Sequence, residues 1–485
     1  MSNEQRRAVQ ALLRERVPAV AGIGRLFARH GHELALVGGP VRDVLRGERP
    51  SDFDLTTDAT PDQVLTITRG WADKTWTVGI AFGTVGLRKG DAIFEVTTYR
   101  SEQYDRTSRR PDVQYGTSLE EDLSRRDFTV NAMAARLPGY EFIDPFGGFD
   151  GLKEKVLRTP GPPERSFSDD PLRILRAARF AAKLGFAVAP GVRTAMTDQA
   201  ERLEIVSPER ITAELTKLML TPDRALGVDV LVQTGVADQV LPEVSRLRME
   251  ADEHHRHKDV YQHSLTVLRQ AIELEPRYGL EGDLVVRLAA LLHDIGKPRT
   301  RDLLPDGRVA FHLHEVVGEK MTKRRLTALR FPNEVVKDVS RLVALHLRFH
   351  GYGEGEWTDS AVRRYVRDAG PLLSRLHVLT RADCTTRNRA KAARLAAAYD
   401  GLEQRIKELS EQEELDRLRP ELDGNAIMEV LGIPPGPLVG KAYAFLLELR
   451  ITDGELGRDR VVQELLRWAA AEGIVPPPPA EPDGD

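Results

Sequence analysis

The sequence predicts an α+β protein: a small mixed-sheet head at the N-terminus followed by a mostly α-helical neck, body and tail. Two observations predict the class. Short apolar runs bounded by glycine and polar turns fill the first 150 residues, whereas from Asp169 onward apolar residues recur at helical spacing. A third sets the scale: 485 residues, at roughly 150 per domain, suggest about three structural units.

Residues 1–33 read as one helix ending near Gly31. Leu34-Ala-Leu-Val37 is a short buried strand broken by Gly38-Gly39, and a helical stretch runs from Pro40 to Leu45. Ser51-Asp-Phe-Asp-Leu-Thr56 alternates like a strand, and residues 78–87 and 92–98 look like two more. Residues 99–125, rich in Arg, Ser, Asp and Gly, read as a mobile loop. The head ends near residue 150, and a helical neck follows over 151–250. Leu172, Leu175, Ala178 and Phe180 keep helical spacing, as do Ile211, Leu215, Leu218 and Met219. A histidine-containing helical block covers 253–394, within a body expected over 251–400. An acidic helix or linker (401–423) and a last helical module to 473 form the tail. The proline-rich, acidic end at 474–485 reads as disordered.

Composition excludes several classes. Hydrophobic content of 41% and charged content of 30% describe a soluble globular chain. No run approaches the roughly 20 apolar residues of a membrane span, and the polar N-terminus lacks a secretory signal. The single cysteine, Cys384, rules out an intramolecular disulfide and disfavours thiolate zinc fingers. A cytoplasmic location is expected. With 70 Lys+Arg against 74 Asp+Glu and a net charge of −4, a polyanion must be held by a local patch.

Asp52 and Asp54 stand two apart on a strand, so their side chains share a face. Carboxylates that close repel unless a cation lies between them, and hard oxygen donors suit Mg²⁺. By itself the pair reads equally as surface aspartates beside a turn. Upstream, Val37-Gly-Gly-Pro-Val-Arg-Asp43 is a strand, a glycine turn and a helix start. Backbone N–H groups there favour an anion, with Arg42 adding a fixed charge. Glu95 supplies either a third carboxylate or an ordinary exposed strand residue.

These motifs carry a resemblance. LVGGPVRDVLRG (36–47), SDFDLTT (51–57), EEDLSRRDFTVNAMA (120–134), DPFGG (144–148) and DDPLRILRAARFAAKLGF (169–186) resemble, in order, the class II CCA-adding tRNA nucleotidyltransferases. The resemblance implies a polymerase-β-like head. It also implies transfer of nucleotides from CTP and ATP to the tRNA 3′-hydroxyl with loss of pyrophosphate. Asp52 and Asp54 would be Mg²⁺ ligands for two-metal phosphoryl transfer, with Glu95 a candidate catalytic carboxylate. Gly38, Gly39, Arg42 and Arg126 would line the triphosphate site. Asp127 and Asn131 would organise the element that carries Arg126. Asp170 and Arg173 would form the amino-acid template that accepts C or A, and Arg176 and Arg179 would help hold base and triphosphate. A solvated helix face is the alternative reading of that arginine stripe.

His263, His293-Asp294 and Asp383 follow the H…HD…D order of HD-domain phosphohydrolases, with His312, His314 and His346 as companions. Imidazole and carboxylate together suit a second divalent metal in that domain. For tRNA, two basic runs stand out. One comprises Arg363, Arg364, Arg367, Arg375, Arg381, Arg387, Arg389, Lys391 and Arg394; the other comprises Lys320, Lys323, Arg324, Arg325 and Arg330. Glycines in Leu422-Asp-Gly424 and Leu431–Gly440 read either as phosphate contacts or as plain helix connections. No obligate protein partner and no membrane is expected. The alternative activities are poly(A) synthesis, CC- or A-only addition, and, from another class, a metal-dependent HD phosphohydrolase.

Overall fold

The computed structural model describes residues 1–103, 112–115, 118–248, 260–305, 309–349, 357–385, 388–413 and 419–474. The chain forms two compact units, Met1–Arg248 with Arg325–Phe331, and Met249–Arg324 with Pro332–Asp485.

The first unit opens with two helices, α1 (Asn3–Arg16) and α2 (Val20–Arg29), instead of the one expected over 1–33. Pro18 separates them, since it has no backbone N–H to continue the ladder. Then come β1 (Leu34–Val37), α3 (Gly39–Leu45), β2 (Asp52–Thr57), α4 (Pro61–Thr68), β3 (Lys74–Trp76), β4 (Thr84–Lys89) and β5 (Ala92–Thr98). The strand expected over 78–87 is instead a 3₁₀ turn at Ile80–Phe82 followed by β4. The expected loop at 99–125 contains a hairpin, β6 (Arg100–Gln103) with β7 (Asp112–Tyr115), and α5 (Leu119–Ser124). Its Arg106, Arg109 and Arg110 lie outside the described residues. The unit continues through β8 (Ala134–Leu137), β9 (Glu141–Ile143), α6 (Gly148–Glu154), β10 (Val156–Leu157), α7 (Pro163–Asp169), α8 (Leu172–Leu184), β11 (Ala187–Val188) and α9 (Pro190–Asp198). It closes with α10 (Pro208–Met219), α11 (Arg224–Gln233), α12 (Val236–Val240) and α13 (Pro242–Ser245).

Seven strands form one mixed sheet in the order β3-β4-β5-β2-β1-β8-β9. Only β2 and β5 pair in parallel within it. The uninterrupted apolar run of β1 has a physical reason, for both of its faces are buried. Leu34 and Leu36 join Ile23, Phe27, Leu55 and Phe94 in one core, while Ala35 and Val37 join Tyr99, Leu119 and Leu123 in another. On β2 the alternation turns Phe53 into the first core, stacked on Phe94 at 5.3 Å, and turns Asp52 and Asp54 the other way. A slip of one residue would bury both carboxylates, so the pattern fixes the register.

Among its described residues the second unit is helical apart from one short hairpin. It comprises α14 (Val260–Leu274), α15 (Leu284–Leu292), α16 (Lys297–Thr300), β12 (Arg301–Leu303), β13 (Val309–Phe311), α17 (His314–Ala328), α18 (Asn333–Leu345), α19 (Asp359–Ala369), α20 (Leu373–Asp383) and α21 (Arg389–Glu413). The last turn of α17 counts with the first unit. Three further helices, α22 (Gly424–Leu431), α23 (Pro437–Asp453) and α24 (Arg458–Ala471), pack Ile427, Leu431, Leu446, Val461 and Leu465 into a core of their own. Asp423 caps α22 and Gly432 ends it in the left-handed conformation. The expected boundary near 250 and the end at 474–485 fall largely outside the described residues. Among the described residues no helix is long and apolar enough to cross a membrane.

Candidate functional site

The head sheet, the segment after α5, helix α8 and Arg210 of α10 line an open cavity of about 440 Å³. Gly38, Gly39 and Arg42 line it from the β1–α3 turn, Asp54 from β2, and Arg126, Asp127 and Asn131 from the segment after α5. Asp170, Arg173, Arg176 and Arg179 line it from the α8 side. Asp52 and Glu95 lie outside this lining but on the same sheet face as Asp54, because the β2–β5 register sets Asp54 opposite Glu95. Eight basic residues line the cavity (Arg42, Arg125, Arg126, Arg173, Arg176, Arg179, Lys183, Arg210) against three acids (Asp54, Asp127, Asp170). That imbalance selects an anionic ligand.

Gly38 has φ 73° and ψ −127°, a conformation open to glycine. A Cβ there would come 2.8 Å from Arg126 Nη1. Gly38→Ala is therefore expected to cost about 1–3 kcal/mol and to weaken the hold of the cavity on an anion by displacing Arg126. Urea denaturation and titration with inorganic triphosphate measure both, and unchanged values would show that Gly38 does not position Arg126. Arg126 donates through Nη2 to Asp122 at 3.2 Å, while its Nε is buried with no partner. Such an orphaned donor beside a glycine turn is what a phosphate oxygen would satisfy.

Asp54 lacks an ion pair among the described residues. Asp54 keeps contact with solvent, yet partial desolvation by the protein around it and the like charges of Glu95 and Asp52 raise its carboxyl above the usual range against the pull of Arg126 and Arg42. A divalent cation relieves a load of that sign. Three oxygen donors on one face fit Mg²⁺.

Asp127 is the hub of the wall that α8 contributes to. Its Oδ2 accepts from Arg176 Nε at 2.9 Å and Nη2 at 2.5 Å, and its Oδ1 accepts from Asn131 Nδ2 and the Phe128 N–H. Burial opposes this charge, yet Arg176 and the hydrogen bonds outweigh it and hold the carboxyl below its usual range. Asn131 in turn accepts from Arg42 Nη1 at 2.5 Å, which ties the glycine turn to the same hub. Arg179 donates to Glu214 of α10 at 2.5 Å. The guanidinium carbons of Arg42, Arg176 and Arg179 lie 5.5, 5.5 and 4.4 Å from the centre of the Phe180 ring. Phe180 is thus a cation–π platform as well as a core residue. Arg173 is anchored by Ser166 Oγ at 2.9 Å and the Arg125 carbonyl at 2.5 Å, which leaves N–H groups over. Asp170 accepts from the Leu172 N–H and lies 3.5 Å from Arg210. A second cavity, of about 510 Å³, shares Arg125, Arg126 and Arg173 with the first and adds Phe146, Pro160 and Arg165.

The comparisons with known proteins follow the same path along the chain. Residues 34–158 match the Poly A polymerase head domain, 185–247 the probable RNA and SrmB-binding site of polymerase A, and 260–388 the HD domain. The A-adding tRNA nucleotidyltransferase of Deinococcus radiodurans is 36% identical over 90% of this chain and 95% of its own length. This chain belongs to the tRNA nucleotidyltransferase family. The CCA-adding enzyme of Anoxybacillus flavithermus is 41% identical over 46% of this chain and 55% of its own. Among solved structures, the Bacillus stearothermophilus CCA-adding enzyme in complex with CTP aligns with a TM-score of 0.67 and 26% identity, covering 94% of this chain and 98% of that one. The head and HD expectations, and the enzyme class, are thereby established.

In the second unit of the nucleotidyltransferase, His263, His293 and Asp383 gather ligand atoms within 4.8 Å of one another, and Asp294, His314 and His346 do the same. The H…HD…D order gave four of these six. His314 and His346 were only companions in the sequence, and His312 stays exposed outside both groups. Burial favours the neutral form of His346, whose pKa falls to about 4. Burial opposes the charges on Asp294 and Asp383, but the imidazoles around them hold both carboxyls well below the usual range.

The basic run at 363–394 is largely spent within the nucleotidyltransferase itself. Arg364 and Arg367 pair with Glu448, Arg375 with Asp283, and Arg381 with Asp400 and Glu403. Arg387 lies outside the described residues, and Arg389, Lys391 and Arg394 carry no ion pair among them. Of the other run, Arg325 pairs with Glu243 at 2.8 Å. Sequence reading missed Phe180, Lys183, Arg210 and Glu214. Lys183 carried a signal, one helical turn after Arg179, whereas Glu214 carried none.

Proposed function

We propose that the enzyme adds CCA to tRNA 3′ ends without a nucleic-acid template, using CTP and then ATP. One observation carries this reading: Asp170 and Arg173 line the same cavity as Asp54, the glycine turn and Arg126. An acceptor beside a donor complements cytosine and adenine, which each offer an amino donor next to a ring-nitrogen acceptor. Guanine and uracil reverse the order.

In this scheme the tRNA 3′-hydroxyl oxygen bonds to the α-phosphorus of the nucleotide, the bond to the β-phosphate oxygen breaks, and pyrophosphate leaves. Asp52 and Asp54, with Glu95 beside them, would hold Mg²⁺, which when bound stabilises the attacking and leaving oxygens. Arg42 and Arg126 receive the triphosphate beside the N–H groups of the glycine turn. Arg176, fixed by Asp127, and Arg179, fixed by Glu214, hold base and phosphates over Phe180. We assign the head to 1–150, base recognition to the neck at 151–250, the HD body to 251–400 and tRNA binding to the tail at 401–473. The second cavity suits the terminal nucleotide of the acceptor, with Phe146 for the base and Arg165 for phosphate.

Addition of A alone is a second reading, favoured by the full-length similarity to the Deinococcus radiodurans enzyme. Two tRNA transcripts, one lacking its last three nucleotides and one ending in CC, each incubated with CTP, ATP or both, separate the readings. Two C additions, then one A, then arrest is the expected result. Failure to use CTP, with A added only to a CC end, would establish the A-adding reading. Unlimited A addition would reject both.

A further inference from the structure

The carboxylates of the head share their sheet face with side chains that the cavity does not include. Strand register sets Trp76 of β3 opposite Gly86 of β4, Gly86 opposite Glu95 of β5, and Glu95 opposite Asp54 of β2. Residues paired across strands share a face, so this row runs from the sheet edge at β3 to Asp54 in the cavity. The neighbouring row on the same face is Lys74, Arg88, Ile93 and Asp52. The opposite face of these strands turns Val85, Leu87, Phe94 and Val96 into the core.

Gly86 is buried although it lies on the open face. A Cβ there would come 2.0 Å from Trp76 Cε2 and Nε1, so the indole lies directly over the glycine. A glycine inside a strand is what such a close approach requires. The ring is thereby one strand spacing from β5 and two from β2, about 5 and 10 Å. Trp76 stays partly exposed and belongs to neither head core described above. Lys74 and Arg88 are exposed and carry no ion pair among the described residues. Ile93, between Arg88 and Asp52 in its row, is an exposed apolar side chain.

An aromatic ring beside unpaired cations is the chemistry that holds single-stranded RNA. The ring stacks on a base of any identity, and the cations take the phosphates. Both rows end on Asp52, Asp54 and Glu95, so the inference rests on the assignment of those carboxylates to the reaction. We propose that β3 and β4 form the approach for the unpaired 3′ end of tRNA. Trp76 stacks on a base upstream of the terminal nucleotide, and Lys74 and Arg88 hold the phosphates beside it.

The test uses the full chain and a tRNA transcript ending in CC, to which both activities weighed above add A. Trp76→Ala is expected to raise KM for tRNA about tenfold, while KM for ATP is unchanged. Trp76→Phe should recover most of that loss, because a smaller ring still stacks. Replacing Lys74 and Arg88 together by Ala should flatten the dependence of log affinity on log salt by about 1.4, at roughly 0.7 for each single-strand phosphate contact. Fluorescence anisotropy reads that slope, and circular dichroism confirms the fold. An unchanged KM for tRNA in Trp76→Ala, or an equal rise in Trp76→Phe and Trp76→Ala, would overturn the stacking role. An unchanged salt slope would overturn the phosphate contacts. Asp54→Ala tells the two readings apart. If it abolishes addition while Trp76→Ala leaves KM for tRNA as it was, the carboxylate assignment stands and the approach over β3 and β4 is wrong. Full activity of Asp54→Ala would remove the assignment beneath both.

Discussion

Asp54→Ala is expected to lower nucleotide addition on the order of 10³-fold or more, equivalent to about 4 kcal/mol of transition-state stabilisation. Affinity for tRNA should remain within about twofold. The separation follows from position. Asp54 lines the basic cavity on a strand whose opposite face holds the core through Phe53 and Leu55. On the proposed assignment, removing its carboxylate deletes a metal donor and leaves the apolar layer intact. Relief of the crowding that raises its carboxyl should even leave stability unchanged or slightly increased. Single-turnover addition of one nucleotide, with tRNA affinity read by fluorescence anisotropy, makes the comparison. Residual activity above a tenth of wild type would remove Asp54 from the reaction.

Asp127→Ala is expected to damage both stability and activity. The buried carboxylate binds Arg176, Asn131 and a backbone N–H at once. Losing it should cost about 3 kcal/mol, because two buried donors lose their acceptor while Arg176 can still turn toward water. With Arg176 unfixed, kcat/KM for nucleotide should fall about 10²-fold, the scale of a 1 Å misplacement. The pH dependence has a definite sign. The folded-state pKa of Asp127 is depressed, so its stabilisation is complete above the unfolded value of about 3.9. It is lost as pH falls through the lower folded value. The gap between wild type and variant, measured by urea denaturation, should therefore be constant from pH 7 to about 5 and close only in acid. A gap that widened in acid would show that Asp127 does not carry this charge.

The head was legible because local chemistry decides it. Alternation on β2 sets Asp52 and Asp54 against Phe53 whatever the rest of the chain does, and Gly38 must adopt a conformation that side chains avoid. The arginine stripe of α8 follows from helical spacing and does face the cavity. The hairpin in the polar 99–125 segment was not legible, since its composition matches loops and strands alike. Nor was the break at Pro18 taken into account, although a proline beyond the first turn ends a helix.

By itself the sequence determined the order of motifs, the faces of the strands and helices, and the family those motifs belong to. Only the tertiary structure decided which distant charges meet. It gave Arg179 to Glu214, set three guanidiniums around Phe180, and used much of the 363–394 basic run in internal ion pairs. It also brought His314 and His346 to the free oxygen of Asp294. Periodicity constrains residues a few positions apart, whereas these encounters join helices far apart in the chain. Their geometry is set by how those helices pack.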